Sequence, residues 1–389
     1  MRYHSHFNTA LKIIEQYDGK VPFAIYLKQF FAADKKYGSK DRKSIAAFCY
    51  NYFRLGKAAT GLLITESMAL SAFILDPRSA EMPGLFKEEC QAHLAATTPN
   101  KLQLAGIPTK AIFPWTEALS EGIDADAFTL SFLQQPDLFL RVRPGKQATV
   151  EEKLETAGIA YTKVSNSTIA LSNATNITNI LEPDREVVIQ DLNSQQVLDF
   201  FRSPAFEKGE KGYSVWDCCA ASGGKSILIN DILHGNIRLT VSDIRESILA
   251  NLRKRFDAAN IRMLEAFTAD LSKETGRTYP AADITLCDAP CTGSGTWSRT
   301  PEQLYYFDPA QIDSYAQRQQ DIVSTVIPAM PAKGYFVYIT CSAFKKENEE
   351  LVDFIKEKFH LQLLQMELLK GYDKKADTMF VAVFRKPLA

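Results

Sequence analysis

The 389-residue chain has no apolar run approaching the ~18 residues that a membrane span requires. Arg2, His4, His6 and Asn8 interrupt any apolar stretch after Met1, so no secretory leader is expected there. Cysteine is sparse: seven residues, an odd number, which excludes a disulfide scaffold and fits a reducing cytoplasm. Cys218 and Cys219 are adjacent, Cys287 and Cys291 are four apart, and the five histidines are scattered. None of these is a zinc spacing, so no metal site is expected. Repeats and low-complexity tracts are also missing. A net charge of −1 gives no global sign of a polyanionic partner. The charge is uneven, however. Residues 1–60 hold eleven Lys/Arg against four Asp/Glu, and residues 61–135 hold four against nine. A basic N-terminal lobe could meet phosphates; a solvated helical face is the competing reading.

What is present falls into three regions. Residues 1–133 read as all-helical. Leu11, Ile13, Ile14 and Tyr17, then Phe23, Tyr26, Leu27, Phe30 and Phe31, recur at intervals of three and four. Ser39 is expected to cap a helix running through Ile45, Phe48, Tyr52 and Leu55. Residues 134–205 read as a small α+β module: a strand at Leu138–Arg143, a helix at Thr149–Ala157, a hairpin around Asn166 and a strand at Val187–Gln190. Residues 206–389 alternate short apolar runs with segments of helical length. That pattern predicts an α/β domain with a mostly parallel sheet covered on both faces. In such sheets ligands bind at the carboxyl ends of the strands.

The chemistry-bearing residues fall at those ends. The first strand of this region runs into Asp217-Cys218-Cys219-Ala220-Ala221-Ser222-Gly223-Gly224-Lys225 and opens a helix. Small residues let the backbone approach a ligand closely, and a helix N-terminus favours an anion. A phosphate-binding P-loop would need glycine where Cys219 stands, and the dinucleotide Gly-x-Gly-x-x-Gly fingerprint is not completed. A nucleoside–amino acid cofactor, its carboxylate at the N–H groups, is the reading that remains. Asp243 at the second strand tip is placed for ribose hydroxyls, and Asp270 after the third for an adenine amino group. Each alone could be a helix cap; three acids at successive tips favour S-adenosylmethionine. The fourth strand ends in Asp288-Ala289-Pro290-Cys291, the fifth in Thr340-Cys341-Ser342. A thiolate added to carbon-6 of cytosine makes carbon-5 nucleophilic enough to take a methyl group. A lone cysteine here would read as a small buried hydrophobe. Two of them beside Asp288 and a glycine-rich loop point to catalysis.

At these residues the chain resembles the RsmB-like branch of the NOP/Sun family of RNA cytosine-5 methyltransferases. Asp217–Lys225 is similar to its Asp-x-Cys-Ala-Ala-Pro-Gly-Gly-Lys loop, Asp288–Gly295 to its Asp-Ala-Pro-Cys motif, and Thr340–Ser342 to its Thr-Cys-Ser, with Glu347-Asn348-Glu349 following. The looser N-terminal likeness, in Gly38–Arg42 and Tyr52–Arg54, extends the resemblance over nearly the whole chain. It implies a Rossmann-like class I methyltransferase domain (206–389), preceded by the α+β module (134–205) and an all-helical NusB-like RNA-binding domain (1–133). It further implies that Cys219, Ala220, Ala221, Ser222, Gly223, Gly224, Lys225, Asp243, Asp270 and Asp288 bind S-adenosylmethionine. By the same resemblance Cys341 is the nucleophile, Cys291 assists product release, Asp288 contacts the cytosine, and Lys225 steadies the anionic groups. RNA contact is expected from Lys35, Lys36, Lys40, Arg42 and Lys43, and from Arg299 beside the site. Small-subunit ribosomal RNA is the leading substrate, and a cytoplasmic monomer the default state. Three departures stand out: Ser222 replaces the usual Pro and is expected to loosen the loop, Ala332-Lys333-Gly334 replaces Pro-Gly-Gly, and Ala376–Phe380 alters what is expected to be an edge strand. Rival readings are Cys291 as nucleophile, transfer RNA as substrate, an amino-group methyltransferase, and a non-catalytic RNA-binding or ribosome assembly factor.

Overall fold

The computed structural model describes residues 2–34, 36–207, 212–273 and 276–388. It divides into two compact units. One comprises Met1–Leu119, Asp124–Gln135 and Thr296–Pro309; the other comprises Ser120–Ile123, Pro136–Gly295 and Ala310–Ala389. The small α+β module therefore shares a unit with the large sheet, and Thr296–Pro309 groups with the N-terminal helices.

The regular structure described in the first unit is helical, with its long helices at Arg2–Gln16, Phe23–Ala33, Ser39–Arg54 and Ile64–Leu75. Phe7, Ala10, Ile13, Ile14 and Tyr17 are all buried, which is the apolar stripe of an amphipathic helix. The third helix starts one residue differently from expectation. Gly38 occupies the cap position, Ser39 is the first helical residue, and Asp41 accepts the Gly38 N–H at 3.2 Å. Arg54 is buried, and its guanidinium is satisfied by Phe132 O, Gln134 O and Gln135 Oε1 at 2.6–2.9 Å. Pro301–Tyr306, a helix of the returning segment, places buried Glu302 to accept the Phe23 N–H.

In the second unit, β1 (Leu138–Val142), β2 (Thr162–Ser165), β3 (Thr168–Leu171) and β4 (Val187–Ile189) form an antiparallel sheet in the order β2-β3-β1-β4. The helix Gln147–Thr156 packs Val150 and Leu154 against Leu140, Val142 and Ile169. The segment Ser194–Phe201 forms short 3₁₀ turns at Asn193–Gln195 and Asp199–Arg202.

Seven strands follow: β5 (Tyr213–Asp217), β6 (Ile237–Asp243), β7 (Met263–Thr268), β8 (Ile284–Asp288), β9 (Tyr335–Thr340), β10 (Gln362–Leu369) and β11 (Met379–Arg385), in the order β10-β11-β9-β8-β5-β6-β7. β5 to β9 pair in parallel, and β11 is antiparallel to both of its neighbours. The α/β domain with a mostly parallel sheet expected from the alternating pattern is therefore present, in the Rossmann-like arrangement that the resemblance implies. One expectation is corrected: β11 is internal, between β10 and β9, and β10 is the edge. Its continuous run Phe380–Phe384 is buried, as an internal strand requires. Alternate residues feed two cores, Val215, Leu286, Val337 and Ile339 on one face and Trp216, Cys287, Phe336 and Tyr338 on the other. The chain passes from β5 to β6 and β7 on one side, then to β8 and β9 on the other. This reversal opens a crevice at the carboxyl ends of β5 and β8. Among the described residues, no helix is long and apolar enough to cross a membrane.

Candidate active site

The loop after β5 is tied down at each step. Ala220 N–H donates to Ser242 O, and Ala221 N–H to Asp243 Oδ2 at 3.0 Å. Gly223 sits at φ +84°, where a Cβ would lie 2.6 Å from Phe256 Cε1. Only glycine can both turn there and let the helix Gly224–Ile232 start against its neighbour. Ser222 is not loose. Arg255 donates from Nη1 to both its carbonyl and its hydroxyl at 2.9 Å, while Asp184 holds the same guanidinium at 2.6 and 2.9 Å. The hydrogen bonds restrain the backbone where a proline ring would have done so.

Beneath the loop, Asp217 is fully buried and accepts from Ser226 Oγ at 2.6 Å. Its other oxygen has no hydrogen-bond partner among the described residues. Burial pushes this carboxyl up to about 7. Asp243 accepts the Arg245 N–H at 2.9 Å besides that of Ala221. Asp270 accepts from the backbone and hydroxyl of Ser272, and that hydroxyl, with Lys273 nearby, lowers its carboxyl below the usual range. Lys225 lies 2.8 Å from Asp288 Oδ2. Burial opposes the lysine charge, but the Asp288 carboxylate outweighs it and the ammonium is raised above its ordinary value.

The two expected cysteines meet. Cys291 Sγ and Cys341 Sγ are 3.3 Å apart. The contact with Cys341 and burial push the Cys291 thiol upwards. Their loops are pinned by Glu347, which is wholly buried. It accepts from Thr292 N at 2.9 Å, Thr292 Oγ1 at 2.6 Å, Ser342 Oγ at 2.5 Å and Gln319 Nε2 at 3.0 Å. Gly295 is equally constrained, because a Cβ there would lie 2.0 Å from Thr378 O.

Cys219, Ala221, Asp243, Asp270 and Asp288 line one cavity of about 440 Å³ together with Cys291 and Cys341. Ala220, Ser222, Gly223, Gly224 and Lys225 are not among its lining residues. A larger cleft, about 1140 Å³, contains none of the expected site residues, so size alone does not locate the chemistry. Tyr315 and Arg318, on the helix Ala310–Val326, also line the site cavity. No motif marked them, since their place depends on how that helix packs. Lys36, Lys40, Arg42 and Lys43 are exposed, and Arg299 is half-buried; all five belong to the first unit. Lys35 lies outside the described residues.

Residues 206–384 match the family model described as 16S rRNA methyltransferase RsmB/F. This segment, a little under half of the chain, is therefore similar to the RsmB/F rRNA methyltransferases. The chain is 30% identical over 175 residues to the probable ribosomal RNA small subunit methyltransferase B of Bacillus subtilis, covering 44% of this chain and 38% of that one. It is 28% identical over 167 residues to a Mus musculus 28S rRNA (cytosine-C(5))-methyltransferase, covering 41% and 20%. The matched stretches span about a third to a half of the first curated relatives. The crystal structure of PH0851 shares the fold, with a TM-score of 0.70 at 16% identity over 97% of each chain.

Proposed function

We propose that the protein is an S-adenosylmethionine-dependent RNA cytosine-5 methyltransferase acting on small-subunit ribosomal RNA, in the cytoplasm and as a monomer. The observation that carries this reading is the Cys291–Cys341 pair, 3.3 Å apart, facing a cavity with acids from successive strand tips. The donor set fits the cofactor. Asp243 and Asp270 suit ribose hydroxyls and an adenine amino group, and the Gly223 turn lets a ligand approach the start of a helix. When bound, S-adenosylmethionine supplies an electrophilic methyl group.

Cys341 adds to carbon-6 of a cytosine splayed out of the RNA, making carbon-5 nucleophilic. The Lys225 ammonium lies within electrostatic range of Cys341. Asp288, held by Lys225, contacts the ring nitrogen and amino group and orients the base for addition. Cys291, in contact with Cys341, assists release once carbon-5 has lost its proton. The N-terminal helices act as a NusB-like RNA-binding domain, with Lys35, Lys36, Lys40, Arg42, Lys43 and Arg299 meeting phosphates. The test is transfer of labelled methyl from the cofactor to purified small-subunit ribosomal RNA, with transfer RNA in parallel. Label in ribosomal RNA as 5-methylcytosine supports the reading. Label in transfer RNA alone overturns the substrate, and cofactor binding without any transfer overturns the activity.

A further inference from the structure

Two strands bring together three thiols whose sulfurs take no part in the methyl transfer proposed above. β5 and β8 run parallel with Asp217 opposite Leu286, so Cys218 comes beside Cys287, and the Cys218 N–H donates to Leu286 O at 2.9 Å. The sulfurs of Cys218, Cys219 and Cys287 all lie within 4.8 Å of one another. Cys218 and Cys287 are buried in the apolar layer that holds Trp216, Ala289 and Tyr338. Cys218 and Cys219 also line the site cavity, which gives a solute access from that side.

Charge decides what such a site can hold. A divalent cation on three thiolates leaves a net negative charge in an apolar layer, and uncompensated buried charge is strongly unfavourable. A trivalent, thiol-seeking centre that is neutral before and after binding avoids this. Sulfur bonds of about 2.3 Å, as metals form with thiolates, would set the sulfurs of a pyramidal centre roughly 3.5 Å apart, so closure asks each sulfur to move by about an ångström at most.

We propose that Cys218, Cys219 and Cys287 form a binding site for trivalent arsenic, taken up as neutral arsenous acid. Three arsenic–oxygen bonds break and three arsenic–sulfur bonds form. Each thiol proton leaves with a hydroxyl as water, and neither arsenic nor sulfur changes oxidation state. If the cavity is the cofactor site proposed above, arsenic and cofactor then compete.

The test uses the full chain carrying Cys291→Ala and Cys341→Ala, which removes the competing thiol pair. Arsenite is added and native mass spectrometry reads the adduct. The expected result is one arsenic per chain with three protons displaced, lost when Cys287→Val or Cys219→Ser is added. Two independent variants, each checked for folding by circular dichroism, separate loss of a ligand from loss of the fold. No adduct, displacement of only two protons, or an adduct that survives Cys287→Val overturns the site. None of these readouts depends on methyl transfer, so failure here is distinguishable from failure of the proposed activity.

Discussion

Glu347 is the residue on which the cysteine geometry turns. One carboxylate accepts from both cysteine loops and from Gln319, and burial raises its carboxyl above the ordinary value. Glu347→Gln keeps the volume but replaces an acceptor with a donor facing N–H and O–H groups. Methyl transfer is expected to slow by up to about a hundredfold, the scale set by misplacing reacting groups by an ångström. The KM for RNA should be little changed, and steady-state kinetics checks both. Asp217 gives a pH-dependent prediction. Its folded carboxyl is raised to about 7 from an unfolded value near 3.9, so the folded state binds the extra proton. Folding stability should therefore fall as pH rises from about 4 to 7, by roughly 4 kcal/mol at most. Thermal melts at a series of pH values should show this slope in wild type and a shallower one in Asp217→Asn. Equal slopes would contradict the assignment.

Among the elements, the joint between the small sheet and the helix Gly224–Ile232 carries the largest electrostatic stake. Asp231, at the end of that helix, takes Arg141 at 2.5 Å and Arg143 at 2.9 Å, with all three side chains largely buried. Removing the shared carboxylate leaves two guanidiniums uncompensated. Asp231→Ala is expected to destabilise the fold by about 3–5 kcal/mol, whereas conversion of the trio to apolar residues would cost far less. Denaturant unfolding measures the difference. The loop from Cys291 to Gly295 is just as intolerant. Gly295→Ala drives a methyl group into the Thr378 backbone, and its methyl transfer should fall with that of the cysteine variants.

These elements also show what could be read from the sequence and what could not. The strand tips carrying Asp217, Asp243, Asp288 and Cys341 were legible, because parallel strands covered on both faces make short apolar runs that end in polar residues. Pairing was not legible. That β5 lies beside β8, and so brings Cys287 to Cys218 and Cys219, follows from strand order and leaves no local signal. The same holds for Arg255 reaching Ser222, where the resemblance alone suggested a looser loop. Ser39 was placed one position too far along because propensity names the capping residue type and not the chain geometry that selects Gly38.

For the whole molecule, the question is what each unit contributes. Thr296–Pro309 leaves the α/β segment and groups with the N-terminal helices, a return that periodicity could not reveal. If those helices hold RNA, exposed Lys36, Lys40, Arg42 and Lys43 should set the salt dependence. Replacing all four with Gln should lower the slope of log affinity against log salt by up to about 3, with little effect on sequence preference. Filter binding across a salt series reads it, and an unchanged slope would remove the basic surface from the account. A covalent adduct reports the proposed division of labour between the two cysteines most directly. Wild type, Cys291→Ala and Cys341→Ala are incubated with S-adenosylmethionine and ribosomal RNA and resolved on denaturing gels. A covalent protein–RNA adduct in Cys291→Ala, with neither adduct nor methyl transfer in Cys341→Ala, is the predicted result. An adduct that accumulates in Cys341→Ala would contradict it.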